Sequence, residues 1–189
     1  MLNLVAINAH LNYLYVMNFN DLKTPEELMQ FLQDKINYGF VADNVTYKYP
    51  IKEEDIHQHY KIRLGEDLID TGYGVCWDIT ELQRKFFENA GIKHECYFLQ
   101  AYKKDNIARP IHTHAFLIYH EDNQWKWFEY SFSQHRGIHE NYKTKQELLN
   151  DVATKFLARH ERENYYDLHK YPRVTKALTA NQFIKHCTR

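Results

Sequence analysis

Hydrophobic residues recur every three or four positions in three parts of the chain, a spacing typical of α-helices that pack one face against a core. The predicted helices cover residues 24–39, 76–90 and 144–157. The first begins with Thr24-Pro25-Glu26-Glu27, a combination that caps and starts helices, and Gly39 is expected to end it. Thr144 should start the third helix in the same way, and Thr179 a short terminal one.

The second predicted helix has two distinct faces. Its hydrophobic positions share one face: Ile79, Leu82, Phe86 and Ala90. Charged residues take the other face: Asp78, Glu81, Arg84, Lys85 and Glu88. Gly91 stops the helix.

Three β-strands are expected between the second and third helices. They cover residues 92–102, 112–119 and 125–132. Residues 121–124 form a natural turn, so the last two strands should pair as an antiparallel hairpin. Residues 40–70 give a weaker pattern, with a short turn or helix near residues 66–70. The sequence therefore predicts an α+β fold in which helices pack on one antiparallel sheet.

Length and charge narrow the class of protein. At 189 residues, with no internal repeat or linker, the chain is expected to form one domain, residues 1–189. Its formal net charge of −1 gives no electrostatic case for a nucleic-acid or membrane partner. Three scattered cysteines are too few for a disulfide framework, so a reducing compartment is the simpler interpretation.

The first residues raise the question of a targeting segment. Residues 1–20 are partly apolar, but asparagines and a histidine interrupt them and no basic residue precedes Lys23. We therefore expect them to be an ordered part of the fold. No stretch is long and apolar enough to span a bilayer, and a cytoplasmic location is expected.

Cys76 is the strongest candidate for chemistry. It follows Gly72 and Gly74 in Gly72-Tyr73-Gly74-Val75-Cys76-Trp77-Asp78, where a glycine-rich turn becomes the second helix. A helix start presents unpaired N–H groups and a partial positive charge, and both favour the nucleophilic thiolate form of a cysteine. Taken alone, a cysteine at this position is more often a small buried hydrophobic residue.

His114 and Glu129 could complete a catalytic set with Cys76. They lie on the second and third predicted strands, and pairing across the turn places them roughly opposite each other. The histidine would then carry the proton and the carboxylate would fix its orientation. Glu121 and Asp122 are weaker candidates for the acid, since they fall in the turn.

A metal site is the alternative use of the histidines. His57 and His59 form one closely spaced pair, and His112 and His114 form another. No recognisable spacing supplies a third ligand, so neither a metal nor another cofactor is predicted. Three residues beyond the acid strand could line a cleft but are expected to lie on the surface: His135, Arg136 and His139.

The segment around Cys76, with its helix ending at Ala90-Gly91-Ile92, resembles the nucleophile segment of the transglutaminase-like superfamily. Two further segments resemble its histidine and acid strands: His114-Ala115-Phe116 and Trp127-Phe128-Glu129-Tyr130-Ser131-Phe132. The order of Cys, His and acid agrees, as do their separations of 38 and 15 residues. The first predicted helix resembles the upstream helix of bacterial members. The resemblance covers residues 24–157 and leaves residues 158–189 as a C-terminal extension.

This resemblance implies a papain-like core in which Cys76 is the nucleophile, His114 the base and Glu129 the third member. The family usually has aspartate at the third position, so the extra methylene of Glu129 makes its distance to the histidine a question. The Cys76 N–H is one candidate for stabilising the oxyanion, and a second donor is not identified.

The expected reaction is attack by Cys76 on an amide or peptide carbonyl to give an acyl-enzyme. Water would complete hydrolysis, as in a protease or deamidase, and an amine would complete transamidation; hydrolysis is slightly favoured. The partner would be a protein or peptide substrate, with glutamine side chains one option, and the oligomeric state is open. The alternatives are an inactive scaffold with the same fold and an acyltransferase that uses a small thioester donor.

Overall fold

The computed structural model describes residues 18–103, 112–159 and 165–189. The prediction that residues 1–20 are ordered lies almost entirely outside them. The described chain contains six α-helices: α1 (Pro25–Lys35), α2 (Glu53–His59), α3 (Glu66–Thr71), α4 (Cys76–Asn89), α5 (Lys145–Arg159) and α6 (Ala180–Cys187). No helix in these described ranges is long and apolar enough to cross a membrane.

Eight strands form two sheets within the same residues. The strands are β1 (Asn37–Ala42), β2 (Val45–Lys48), β3 (Tyr73–Gly74), β4 (His94–Tyr102), β5 (His112–Glu121), β6 (Gln124–Glu129), β7 (Gly137–Tyr142) and β8 (Tyr165–Lys170). Five strands form an antiparallel sheet in the order β7-β6-β5-β4-β8. Three form a small sheet in the order β2-β1-β3, in which β1 and β3 are parallel. The α+β class is confirmed, whereas the prediction of one sheet is wrong.

The first helix ends four residues before Gly39, so the predicted C-terminal boundary is wrong. Ile36 is already extended, and the Asn37 N–H donates to the Gly72 carbonyl at 2.8 Å as β1 joins β3. Strand pairing therefore takes over from the helix. Gly39 lies in β1 with φ of 157°, where a Cβ would overlap the Tyr47 carbonyl oxygen. Glycine is needed here because the two strands lie close together, and not because it caps a helix.

The third predicted strand is also shorter than expected. β6 ends at Glu129, and the chain bends before a short 3-10 turn at Ser133–His135. The sequence analysis did not find β7 or β8, which form the two edges of the larger sheet. β8 comes from the C-terminal part of the chain and pairs with β4 from Tyr102↔Tyr165 to Tyr97↔Lys170.

Helices cover both faces of the five-stranded sheet. One face packs against α1, α4 and α6, with sheet residues such as Phe98 and Leu117 buried between them. The other face packs against α5 and buries Phe116, Ile118 and Trp127. Because α4 is central to the first layer, the position of its first residue is fixed by the core.

The start of α4 is packed tightly against α3. A Cβ added to Gly74 would lie 2.6 Å from Leu68 Cδ1 and 3.1 Å from Ile79 Cγ1. Neither neighbour can move freely, because Leu68 and Ile79 are fully buried. Glycine is therefore required two residues before Cys76 by packing.

We expect Gly74→Ala to lower the free energy of unfolding by about 1–3 kcal/mol, as overpacking of a filled core does. Urea denaturation followed by circular dichroism measures this. The control is Lys176→Ala, because Lys176 is exposed and its replacement should change stability by less than about 0.5 kcal/mol. Equal stability of the Gly74 variant and the wild type would contradict the packing account.

Candidate active site

Cys76 is the first residue of α4 and directly follows the β3 segment. Gly72 adopts a left-handed conformation with φ of 66°, which turns the chain out of α3 and into β3. The thiol is buried, with 5% of the residue exposed. The predicted change from a glycine-rich turn to a helix at Cys76 is thus present in the structure.

The start of α4 is held by the Asp78 carboxylate. One of its oxygens accepts bonds from the Tyr60 hydroxyl at 2.8 Å and the Arg63 N–H at 2.7 Å. The other accepts the Val75 N–H at 2.9 Å, which ties down the residue before the thiol. Burial raises the pKa of Asp78 to about 7, while the bonds from Arg63, Val75 and Tyr60 favour the carboxylate.

Most of the charged face of α4 is buried, whereas an amphipathic helix would expose it; Glu88 is exposed and Lys85 is half-buried. Asp78, Glu81 and Arg84 are all buried, because segments near residues 60–63 and 171–187 cover that side. The Arg84 Nε lies 3.3 Å from Glu81 Oε1, so the two opposite charges are buried together. Sequence periodicity finds the core face of α4 but not this second covered face.

His114 and Glu129 are brought together as predicted. His114 Nε2 lies 2.8 Å from Glu129 Oε2, and the residues are 4% and 2% exposed. The second carboxylate oxygen, Oε1, accepts the Phe132 N–H at 2.8 Å. This bond, at the bend after β6, fixes the carboxylate and through it the imidazole ring.

The register explains the glutamate. β5 and β6 pair as Leu117↔Phe128 and Glu121↔Gln124, which places Phe116, not His114, level with Glu129. His114 is therefore a diagonal neighbour, two residues from the position level with Glu129, which refines the expectation that the two lie roughly opposite each other. Diagonal pairs have Cα atoms about 7–8 Å apart, a separation that a long side chain can span. The extra methylene of glutamate suits this offset.

The Cys76 side chain is the second neighbour that acts on the His114 ring. Because Nε2 faces Glu129, Nδ1 is the ring nitrogen left for the thiol. Burial opposes protonation of the ring, but the Glu129 carboxylate and the Cys76 side chain raise the pKa of His114 to about 10. Three aromatic rings pack around the imidazole at centroid distances of 5.5–6.0 Å: Phe116, Phe132 and Phe156.

Tyr38 is a residue of this site that the sequence analysis missed. β1 pairs with β3 so that Tyr38 lies level with Gly74. Burial and the neighbouring Cys76 thiol raise the pKa of Tyr38 well above its ordinary value. The parallel β1–β3 pairing joins segments that are 36 residues apart in the sequence. Because β3 has only two residues, no periodicity in the sequence predicts this pairing.

Arg159, at the end of α5, borders the same site. Its guanidinium lies 5.2 Å from the centroid of the Phe132 ring, and one nitrogen is 3.4 Å from the Tyr49 hydroxyl. Its positive charge lowers the pKa of Tyr38, but burial has the larger effect and raises that pKa. A cation therefore acts on the phenol of Tyr38.

The weaker acid candidates do not reach the histidine. Glu121 lies in the last pair of the β5–β6 ladder and binds Lys126 at 2.9 Å, and Asp122 is in the turn with φ of 50°. Cys96 on β4 and Cys187 on α6 are also buried, and burial raises the pKa of Cys96 to about 12 and that of Cys187 further.

The remaining histidines do not form a metal site in the described part of the chain. Among those residues, no group of three His, Cys, Asp or Glu side chains could hold a metal ion. His57 lies on α2 beside Glu53 at 3.5 Å. His135 and His139 pack against Trp127, with ring centroids 6.1 and 4.5 Å away, and Arg136 lies over Tyr130. The side chains of His135, Arg136 and His139 thus each pack against an aromatic ring.

Comparison with known proteins assigns no family. No family profile matches the chain, and no curated protein matches it in sequence. Among solved structures it is similar to an arylamine N-acetyltransferase C from Bacillus anthracis, with a TM-score of 0.32 and 15% sequence identity. The match covers 56% of this chain and 41% of the bacterial one, which is less than half of that protein. A likeness of this size assigns neither family nor activity.

The protonation of His114 should depend on Glu129. In the wild type, ring ¹⁵N chemical shifts should show His114 protonated until the pH approaches about 10. Glu129→Gln keeps an oxygen for the Phe132 N–H but removes the charge, so the midpoint should fall by about 1–3 pH units. An unchanged midpoint would show that the carboxylate does not hold the proton.

The same proton links stability to pH. The pKa of His114 is about 10 in the folded chain and about 6.5 in an unfolded one. Its contribution to the free energy of unfolding should therefore be complete below pH ~6.5 and lost as the pH rises towards 10. Urea denaturation across this range should show a smaller loss for Glu129→Gln than for the wild type.

Proposed function

We propose that this protein is a cysteine acyl-transfer enzyme that acts on amide or peptide carbonyls. The observation that carries the proposal is one buried group of side chains: Cys76 at a helix start, His114, whose pKa Cys76 helps to raise, and Glu129, which lies 2.8 Å from His114. A nucleophile, a proton carrier and a group that orients the carrier are the three parts that such catalysis requires. The core of the fold supports each part from a different element.

Each residue has a defined task in this mechanism. The Cys76 sulfur attacks the carbonyl carbon, and its proton is held by His114 as an imidazolium stabilised by Glu129. Collapse of the tetrahedral intermediate breaks the carbon–nitrogen bond, and His114 gives its proton to the leaving amine. An incoming nucleophile then loses a proton to His114 as it attacks the thioester and releases Cys76.

Water is the acceptor that we favour for the second step. It is always available, and no feature of the described residues marks a binding site for an amine. Hydrolysis would make the protein a protease or deamidase, and an amine acceptor would make it a transamidase. The substrate is a protein or peptide, with glutamine side chains as one option.

We also infer that the domain is transglutaminase-like, with a papain-like arrangement of its core. The support is the order of Cys76, His114 and Glu129 along the chain and their placement on a helix start and two successive strands. The glutamate departs from the usual aspartate of that superfamily, and the diagonal register of His114 accounts for it.

A catalytically inactive binding protein of the same fold is the second candidate. The observation in its favour is that the triad is covered, with only 5%, 4% and 2% of Cys76, His114 and Glu129 exposed. A substrate carbonyl must displace a neighbour to reach the thiol. An inactive protein would keep the buried bonds for stability alone.

A turnover assay distinguishes the acyl-transfer enzyme from the inactive binding protein. With peptides containing glutamine and added primary amines, the wild type should release amine from peptide bonds, release ammonia or incorporate the added amine. Cys76→Ala should lower the rate at least about a thousandfold, because the nucleophile is lost. Cys187→Ala is the matched control, since that thiol is buried on α6 and not at the start of α4, and it should keep wild-type turnover. Turnover that survives in Cys76→Ala would overturn the proposal.

A further inference from the structure

Arg159 is a cation at the edge of the triad that no step of the proposed mechanism uses. It is the last residue of α5 and is exposed. No carboxylate among the described residues forms an ion pair with it, and one of its nitrogens lies 3.4 Å from the Tyr49 hydroxyl. Because a guanidinium has five N–H donors, most of them remain available to a ligand.

Arg159 lies on the face of α5 that packs on His114. Phe156 precedes it by three residues, a spacing that places both side chains on one face of a helix. The Phe156 ring stacks on the His114 ring with centroids 5.5 Å apart. The Arg159 guanidinium lies 5.2 Å from the centroid of Phe132, whose ring packs edge-on against His114 at 5.9 Å. The cation is therefore separated from the proposed base by a single aromatic ring.

The same guanidinium also contacts the side of the site that carries the nucleophile. The ring of Tyr49, its hydrogen-bond partner, meets the Tyr38 ring edge-on with centroids 6.2 Å apart. Tyr38 lies level with Gly74, two residues before Cys76. Because Arg159 and Tyr49 are exposed while Cys76 is buried, their contact lies on the solvent side of the thiol.

The acid of the triad does not neutralise this cation. One oxygen of Glu129 lies 2.8 Å from His114 Nε2, and the other accepts the Phe132 N–H at 2.8 Å. Asp151, also on α5, forms an ion pair with a lysine four residues later. The charge of Arg159 is therefore left without an acidic partner in the part of the chain that the structure describes.

We propose that Arg159 selects the substrate by binding a carboxylate, so that the acyl donor of Cys76 is an acidic peptide. This inference rests on the proposed function and names the substrate class of that same site. The carboxylate of a peptide belongs either to an aspartate or glutamate side chain or to the chain terminus. A planar guanidinium can form two parallel hydrogen bonds with a carboxylate, which are stronger than its single long bond to the Tyr49 hydroxyl.

Iodoacetate and iodoacetamide are a matched pair of probes for this charge. They have nearly the same size and react by the same step, in which the Cys76 sulfur bonds to the CH₂ carbon and iodide leaves. Only iodoacetate carries a carboxylate. The ratio of the two alkylation rates at Cys76, read by peptide mass mapping in low salt, therefore measures the attraction of a carboxylate to the site.

We expect Arg159→Gln to lower the ratio of the iodoacetate rate to the iodoacetamide rate by about 3–10-fold, because one positive charge near the thiol is lost. The imidazolium of His114 also attracts iodoacetate, but it is present in both proteins. Arg159→Lys keeps the charge and should keep most of the ratio. Lys176→Gln is the matched control, since it removes the same charge from another exposed position, and its ratio should equal that of the wild type.

Competition by short peptides distinguishes the two sources of the carboxylate. Acetyl-Gly-Glu-Gly-amide carries a side-chain carboxylate, acetyl-Gly-Gly-Gly carries a terminal one, and acetyl-Gly-Gln-Gly-amide is a neutral match. An acidic peptide should slow the alkylation of Cys76 by iodoacetamide more than the neutral peptide does, and the more effective acidic peptide identifies the source. Arg159→Gln should remove this difference.

Two results would overturn this inference while the proposed function stands. One is an equal rate ratio in Arg159→Gln and the wild type. The other is equal protection of Cys76 by the acidic and the neutral peptides. A wild type in which iodoacetamide modifies Cys76 no faster than Cys96 and Cys187 would instead refute the proposed function and the inference with it.

Discussion

The buried carboxylate of Asp78 is the constraint on which the site depends. It joins three separate parts of the chain: Tyr60 and Arg63 before α3, Val75 between β3 and α4, and α4 itself. A carboxylate at the third position of a helix also interacts favourably with the N-terminal dipole. Because Val75 precedes Cys76 directly, these bonds fix where the thiol lies and in which direction α4 leaves the turn.

Burying the charged pair His114 and Glu129 is unfavourable for the stability of the fold, so stability alone does not explain why it is there. A charged pair such as His114 and Glu129 loses hydration when it is buried, and hydrophobic residues of similar size are often equally stable or more stable. Removing one partner of such a pair typically costs about 3–5 kcal/mol. The pair lies close to a cysteine at a helix start, and the proposed catalytic role would explain why two charged groups are buried there.

Local patterns predict the elements of this fold well because their causes are local. The starts of α1 and α4 follow from Thr24-Pro25 and from the glycine-rich turn before Cys76, and both are present in the structure. The turn after β5 predicts the hairpin that carries His114 and Glu129, and the structure refines it in the diagonal register and in the earlier end of β6.

Contacts between distant segments were not predictable in this way. The β1–β3 pairing that places Tyr38 level with Gly74 has two residue pairs and no sequence signal. The same holds for the polar face of α4, where Asp78 is 1% exposed because residues 60–63 lie against it. Periodicity reports one buried face of a helix, and a second face covered by loops is visible only in three dimensions.

Alkylation of the three cysteines as a function of pH tests the central claim most directly. Iodoacetamide labelling and peptide mass mapping would compare the alkylation rates of Cys76, Cys96 and Cys187 in one sample. Cys96 and Cys187, which are also buried, act as internal controls. An assembled nucleophile and base predict selective modification of Cys76 that persists well below the ordinary thiol range near pH ~8.5 and is lost in His114→Ala. If Cys76 reacts no faster than the other two, and only as the pH approaches that value, the protein has no activated nucleophile.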